Sequence, residues 1–197
     1  MEKTNPSSDG DFAGFEREAE KWLGEFKNRR FYSELSCEII KSIPQDKLQQ
    51  AILDFIGLKI GQDWENDVKK VPPLGPGFSA IYFLSGLDIE VNNGGFNQFF
   101  YNRGRTAVLR AKDGADLLGL SALAGVVSRA LQIEEKERDK MAKVKKAGTI
   151  EAFFESYEQI SFETVDDEFM NLDFDLEKAV VSFIRDHCDL FEGREND

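Results

Sequence analysis

The sequence predicts an all-α protein, a compact multi-helix domain preceded by an N-terminal helical segment. Two observations carry that prediction. Along most of the chain apolar residues recur at spacings of three and four, the period of an amphipathic helix. Clean period-two alternation is scarce and β-branched runs are short, so there is little material for a large sheet. Bulk composition agrees: 197 residues, 41% apolar and 12% aromatic, with 17 Phe, supply a core built around aromatic anchors and exclude a disordered chain.

The elements follow in order. Residues 1–11, with Pro6 and the run Ser7-Ser8-Asp9-Gly10, read as a flexible lead-in. Residues 12–75 read as the N-terminal helical segment. Its first helix is marked by Phe12, Phe15, Ala19, Trp22, Leu23 and Phe26, its second is Ser33–Ile43 ended by Pro44, and its third is Asp46–Ile60. The stretch Val71–Gly77 holds three prolines and two glycines; it cannot continue a helix and is the strongest candidate boundary. Residues 76–192 then read as the main helical domain. Phe78–Asn92 is a buried helix stopped by Gly94-Gly95, and Phe96–Asn102 starts another. Thr106–Leu118, Leu120–Ile133 and Glu134–Lys146 follow, punctuated by Gly104, Gly119 and Gly148. Ile150–Ile160, Phe162–Leu172 and Phe174–Phe191 complete the series.

Charge is segregated along this plan. The chain carries 37 acids and 25 bases. From Thr149 to Asp197 there are 15 Asp and Glu against Lys178, Arg185 and Arg194, a balance of −12 that equals that of the whole chain, so the first 148 residues are neutral. A concentrated negative region repels nucleic acid and acidic membranes and attracts basic protein surfaces. Glu151, Glu155 and Glu158 lie at i, i+4 and i+7 on one helix face, expected opposite Phe153, Phe154 and Tyr157. Glu163, Asp166 and Asp167 continue the acidic face in the next helix, and Asp173 and Glu177 in the last. The same acids also fit a solvated face that keeps the protein soluble, or helix caps.

The most distinctive string is Glu90-Val-Asn-Asn-Gly-Gly-Phe-Asn-Gln-Phe-Phe-Tyr-Asn102. It makes sense as a tight helix–helix junction, with Gly94 and Gly95 closing one helix and Phe96, Phe99 and Phe100 anchoring the next. Asn92, Asn93, Gln98 and Asn102 would satisfy backbone groups at the two helix ends. The alternative is a small-molecule-binding or enzymatic domain with a polar pocket around those four amides, although no general base, nucleophile or metal cluster accompanies them.

NNGGFNQFFYN, followed by Gly104 and Ala107–Leu118, resembles the signature of the bacterial DNA-mimic protein family, otherwise a domain of unknown function. The likeness extends more loosely through Val165–Leu172 to Phe191, and covers Phe78–Phe191. It implies an all-helical, cytosolic, often dimeric protein whose acidic surface occupies the DNA-binding site of another protein, such as a basic transcriptional regulator. Mimicry has a density requirement: duplex DNA presents about one charge per 1.7 Å of axis, and one acid per helical turn about one per 5.4 Å. Two or three acidic rows, or a homodimer, are needed.

Other chemistry is not indicated. His187 beside Cys188 forms no catalytic dyad, since neighbours on a helix point about 100° apart. One His and two distant Cys cannot make a zinc site, and no phosphate or dinucleotide loop occurs, so no metal and no cofactor are expected. Cys37 and Cys188 make no disulfide framework, which sets a reduced, cytoplasmic location as the default. The mixed-sign helix EEKERDKMAKVKK at Glu134–Lys146 reads as an exposed face, and neither direct nucleic-acid nor membrane binding is expected. The first 75 residues carry no motif, which leaves open a third role, a structural or assembly module that depends on the N-terminal helices.

Overall fold

A computed structural model describes residues 28–173 and 175–194 and, ahead of them, Gly14, Arg17 and Gly24. The lead-in and most of the helix expected over Phe12–Phe26 lie outside the described residues, as does Phe174, the expected start of the last helix. The chain divides into two compact units, Met1–Phe31 and Tyr32–Asp197. In the first, Gly14, Arg17 and Gly24 are helical and the Asn28 N–H donates to the Gly24 carbonyl at 3.1 Å.

The second unit is all-α apart from a two-residue antiparallel ladder. Its order is β1 (Glu34–Leu35), α1 (Cys37–Ser42), α2 (Gln45–Lys59), a 3-10 turn at Trp64–Asn66, α3 (Asp67–Lys70), a second at Pro72–Leu74 and α4 (Pro76–Leu117). Then come α5 (Ser121–Lys136), α6 (Arg138–Ala147), α7 (Ile150–Gln159), α8 (Glu163–Met170), α9 (Leu176–Asp186), a turn at Cys188–Phe191 and β2 (Gly193–Arg194). In α2 the residues Leu48, Ala51, Ile52, Phe55 and Ile56 are buried, the i, i+3, i+4 stripe that makes a helix choose its core face.

The helix expected over Ser33–Ile43 is shorter than its periodicity suggests. Glu34 and Leu35 pair instead with Arg194 and Gly193, and Ser36 opens α1 by accepting the Ile39 N–H on its Oγ at 3.3 Å. The helix expected over Glu134–Lys146 is divided at Glu137. Arg105 holds the carboxylates of Glu134 and Glu135, so those residues close α5.

A straight helix of 42 residues would run about 63 Å, too long for a unit of this size. Backbone breaks at Gly94 (φ −165°, ψ 30°), Gly95 (φ 66°, ψ −175°) and Gly104 (φ 74°, ψ 168°) divide α4 into helical segments 76–93, 96–103 and 105–117. The first and third segments meet where Gly114 has no side chain: a Cβ there would lie 3.0 Å from the Ala80 Cα.

One core runs through the unit from Leu35 to Phe191. Phe55, Phe78, Phe83, Phe96, Phe99 and Phe191 are its largest fully buried aromatic side chains, and Phe78 sits 5.4 Å from Phe55 and 5.5 Å from Phe191, ring to ring. The Val71–Gly77 stretch joins α3 to α4 inside this unit, and residues on both sides of it contribute to the same core.

The cysteine reading is corrected by the fold. Cys37 and Cys188, 151 residues apart in sequence, are disulfide-bonded with Cα atoms 5.0 Å apart. They tie α1 to the turn after α9, where the Arg185 guanidinium also donates to the Ile40 and Ile43 carbonyls. Distance in sequence says nothing of distance in space when the two ends of a unit close on each other. Among the described residues no helix is long and apolar enough to cross a membrane.

Candidate interaction surface

The Asn-Asn-Gly-Gly junction is held by side chains from the acidic region. Tyr157 on α7 donates its hydroxyl to the Gly94 carbonyl at 2.8 Å. Asp166 on α8 accepts the Phe96 N–H at 2.8 Å, capping the helical segment that begins there as a local N-cap residue would. A Cβ at Gly95 would sit 2.8 Å from the Asp166 Cγ, so this glycine serves both its positive φ and the close approach of the carboxylate. Half-burial raises the Asp166 carboxyl above the usual range, against the opposing pull of the Phe96 N–H, and neighbouring Asp167 adds to the rise. Burial likewise raises the Tyr157 hydroxyl, with the Asp166 charge reinforcing it, so Tyr157 is a donor at neutral pH.

The amides at the junction are engaged within the chain. Asn92 donates to the Asp88 carbonyl at 2.8 Å and to its carboxylate at 2.9 Å. Gln98 and Asn102 converge on Glu90 Oε2 at 2.9 and 2.8 Å, while Asn93 is exposed. Phe96 and Phe99 are fully buried, as the sequence pattern predicts. Asn97, which the sequence reading passed over, is 2% exposed and donates to the buried Ser156 Oγ at 2.7 Å. It adds a second link between the junction and α7.

A second polar cluster also escaped the sequence. Asp67 is buried, accepts the Tyr82 hydroxyl at 2.9 Å and pairs with Arg103 at 2.6 Å. Burial, opposed by Arg103 and helped by Asp67, pushes the Tyr82 hydroxyl up to about 12. Arg103 also lies over the Tyr82 ring at 5.4 Å. Its members are 15 and 36 residues apart, so no local period announces the cluster.

The acidic residues divide into several settings. Glu151, Glu155 and Glu158 are exposed on α7, and their side chains make no ion pair or hydrogen bond among the described residues. The aromatic residues are not all opposite them, as the spacing suggested. Phe154 and Tyr157 are 64% and 41% exposed, and the buried side of α7 is marked by Ser156 and the following Ile160. On α8, Glu163 and Asp167 are exposed, whereas Asp166 caps the junction and Glu168 accepts the Arg129 Nε–H at 2.8 Å. Asp173 is exposed ahead of α9. Glu177 lines a cavity of about 320 Å³ between α2, α4 and α9, together with Asp46, Gln49, Ser85 and Asp88. The charge block is also not isolated: α7 packs on α6, where Arg138–Ala147 hold five Lys and Arg against one Asp.

His187 ends α9 as an exposed residue with its ring 4.6 Å from Phe183. Its neighbour Cys188 is committed to the disulfide.

A family model for DMP19-like proteins matches residues 73–187, more than half of the chain. The chain belongs to the DMP19-like protein family. The DMP19-like region takes in all three segments of α4, the Asn-Asn-Gly-Gly junction and each helix from α5 to α9. Every residue of the expected acidic face, from Glu151 to Glu177, lies within it, whereas residues 1–72, with β1 and α1–α3, lie outside. No curated protein and no solved structure matches the chain significantly.

Proposed function

We propose that this DMP19-like protein acts by binding, using an acidic surface centred on α7 to occupy the DNA-binding site of a basic regulatory protein. The observation that carries the reading is the state of Glu151, Glu155 and Glu158. They are exposed, share one helical face and have no cationic partner among the described residues. Glu151 and Glu158 are separated by about 10 Å along the axis at 1.5 Å per residue, a length that spans about three phosphates of one DNA strand at 3.4 Å each. Exposed Glu163 and Asp167 on α8, and Asp173 and Glu177 beyond, supply further acids toward the charge density that a duplex presents; a homodimer would double them.

The reading places the protein in the cytoplasm with its partner.

The test is capture and displacement. The immobilised full-length protein is offered native cytosol at low salt, and the proteins it retains are identified and challenged with duplex DNA. DNA-binding proteins are expected, with binding that falls at least tenfold between 50 and 300 mM salt, as charge-dominated contacts do. The combined Glu151→Lys, Glu155→Lys and Glu158→Lys variant loses them. Retention of the same proteins by that variant, or failure of duplex DNA to displace them, overturns the reading.

A further inference from the structure

Helix α7 carries three faces where two were expected. At about 100° per residue, Ser156 and Ala152 share the core side with Phe153. Glu151, Glu155 and Glu158 form a second stripe, and Ile150, Phe154 and Tyr157 a third, adjacent to the acids and pointing outward. Ile150 is 71% exposed and Phe154 64%. The stripe continues into an aromatic cluster: Phe153 lies 5.9 Å from Phe154, 5.3 Å from Tyr157 and 4.7 Å from Tyr101, ring to ring. A solubilising face does not need such a ridge. Large apolar side chains gathered at the surface with a polar rim mark an interface, and aromatic residues are enriched among those that dominate binding energy.

We propose that α7 docks a partner helix that is apolar along one face and basic along the adjacent one. Ile150, Phe154 and Tyr157 meet its apolar face, and Glu151, Glu155 and Glu158 take its lysines and arginines. This inference rests on the acidic-face reading and names the chemistry of the partner. Charge complementarity selects the occupant: α7 has three acids and no base, and each of its outward stripes spans about 10 Å along the axis. A second copy presenting the same α7 face would set the acidic row against its own image. DNA-like charge alone leaves the apolar ridge without a role.

The experiment uses the full-length protein and two 18-residue helical peptides of equal charge. One has lysines beside a leucine face; in the other every leucine is replaced by glutamine. Binding is followed by fluorescence anisotropy, and circular dichroism verifies each variant. The leucine peptide is expected to bind at least tenfold more tightly, and Ile150→Ser with Phe154→Ser to reduce it to the level of the glutamine peptide. Should that pair lose helical signal, Phe154→Ala alone carries the same comparison. Glu151→Gln, Glu155→Gln and Glu158→Gln together weaken both peptides, whereas Glu38→Gln with Glu65→Gln, exposed acids outside the DMP19-like region, weakens neither.

Equal binding of the two peptides, or an unchanged preference in the ridge variants, overturns the docking proposal while the acidic-face reading stands. Undiminished binding of both peptides by the triple glutamine variant, or binding of neither by the wild type, overturns both. A dimer in sedimentation velocity that the ridge variants dissociate overturns the docking proposal by making a second copy the occupant.

Discussion

Helices α7 and α8 are both short and acidic and lie next to each other in sequence, yet they put their carboxylates to opposite uses. On α8, Asp166 caps the segment that starts at Phe96 and Glu168 pairs with Arg129 on α5. On α7, Glu151, Glu155 and Glu158 face outward without partners among the described residues, while the links to the core are neutral: Ser156 to Asn97 and Tyr157 to Gly94. What separates them is what each helix packs against. The α8 helix lies across a broken helix with an open N–H at Phe96 and beside a helix that offers Arg129; α7 offers its inner face to a junction that needs a hydroxyl and an amide partner. The number of acids in a stretch of sequence therefore says little about how many are free to bind.

The committed half of this comparison breaks most severely at Gly95. Its φ of +66° with ψ of −175° is a region that only glycine occupies readily, and a Cβ would meet the Asp166 carboxylate. Gly95→Ala is expected to lower stability by about 2–4 kcal/mol, strain and displaced cap together. Urea denaturation measures it. A loss below about 1 kcal/mol would mean that the α8 cap is not tied to the junction's geometry.

The sequence made the fold class legible because burial on a helix leaves a local period, and every helix from α2 to α9 except the one-turn α3 was readable from it. Gly94-Gly95 and Gly104 were legible as stops for the same local reason. The features that commit or free particular side chains were not. Asp166 looks like any other acid in Glu163–Glu168 until its partner, 70 residues earlier, is known. The Cys37–Cys188 bond and the Asp67–Arg103 pair are equally remote in sequence. The ridge on α7 was misread for a different cause: a wide apolar stripe looks the same in sequence whether neighbours cover all of it or only one side. Phe153 finds Tyr101, and Phe154 is left outside.

A gentler break separates the charge of Asp166 from its hydrogen bond. Asp166→Ala leaves the Phe96 N–H without its acceptor, and a loss of about 1–2 kcal/mol follows. Asp166→Asn keeps an acceptor oxygen and removes a half-buried charge, so at neutral pH it costs less than the alanine. The two variants also fix the sign of a pH effect. Burial raises the folded-state carboxyl, so the native chain still holds this proton at pH values where the unfolded chain has lost it. Its contribution is then fully present below the unfolded value, about 3.9, and is lost as pH rises through the raised folded value. Wild type is expected to lose stability over that window more steeply than Asp166→Asn, and the difference between their denaturation midpoints from pH 4 to 7 isolates this group. Asp88, also raised by burial, contributes equally to both curves.

The smallest expected change in stability is the one that most sharpens the contrast. Replacing Glu151, Glu155 and Glu158 together with glutamine should move stability by no more than about 0.5 kcal/mol, the range of ordinary surface substitutions. Two opposing effects explain why. Glu151 and Glu155 are like charges at i and i+4, whose repulsion glutamine relieves by a few tenths of a kcal/mol. Glu151 also lies in the first turn of α7, where the helix dipole favours a negative charge by a comparable amount. Residues kept for structure would show a cost on neutralisation, as Asp166 does; residues kept for a partner would show it only when the partner is present. A melting temperature unchanged by the triple substitution, measured beside a loss of salt-sensitive binding, places these carboxylates in the second group. A clear drop in melting temperature would assign them to the fold and erase the distinction between α7 and α8.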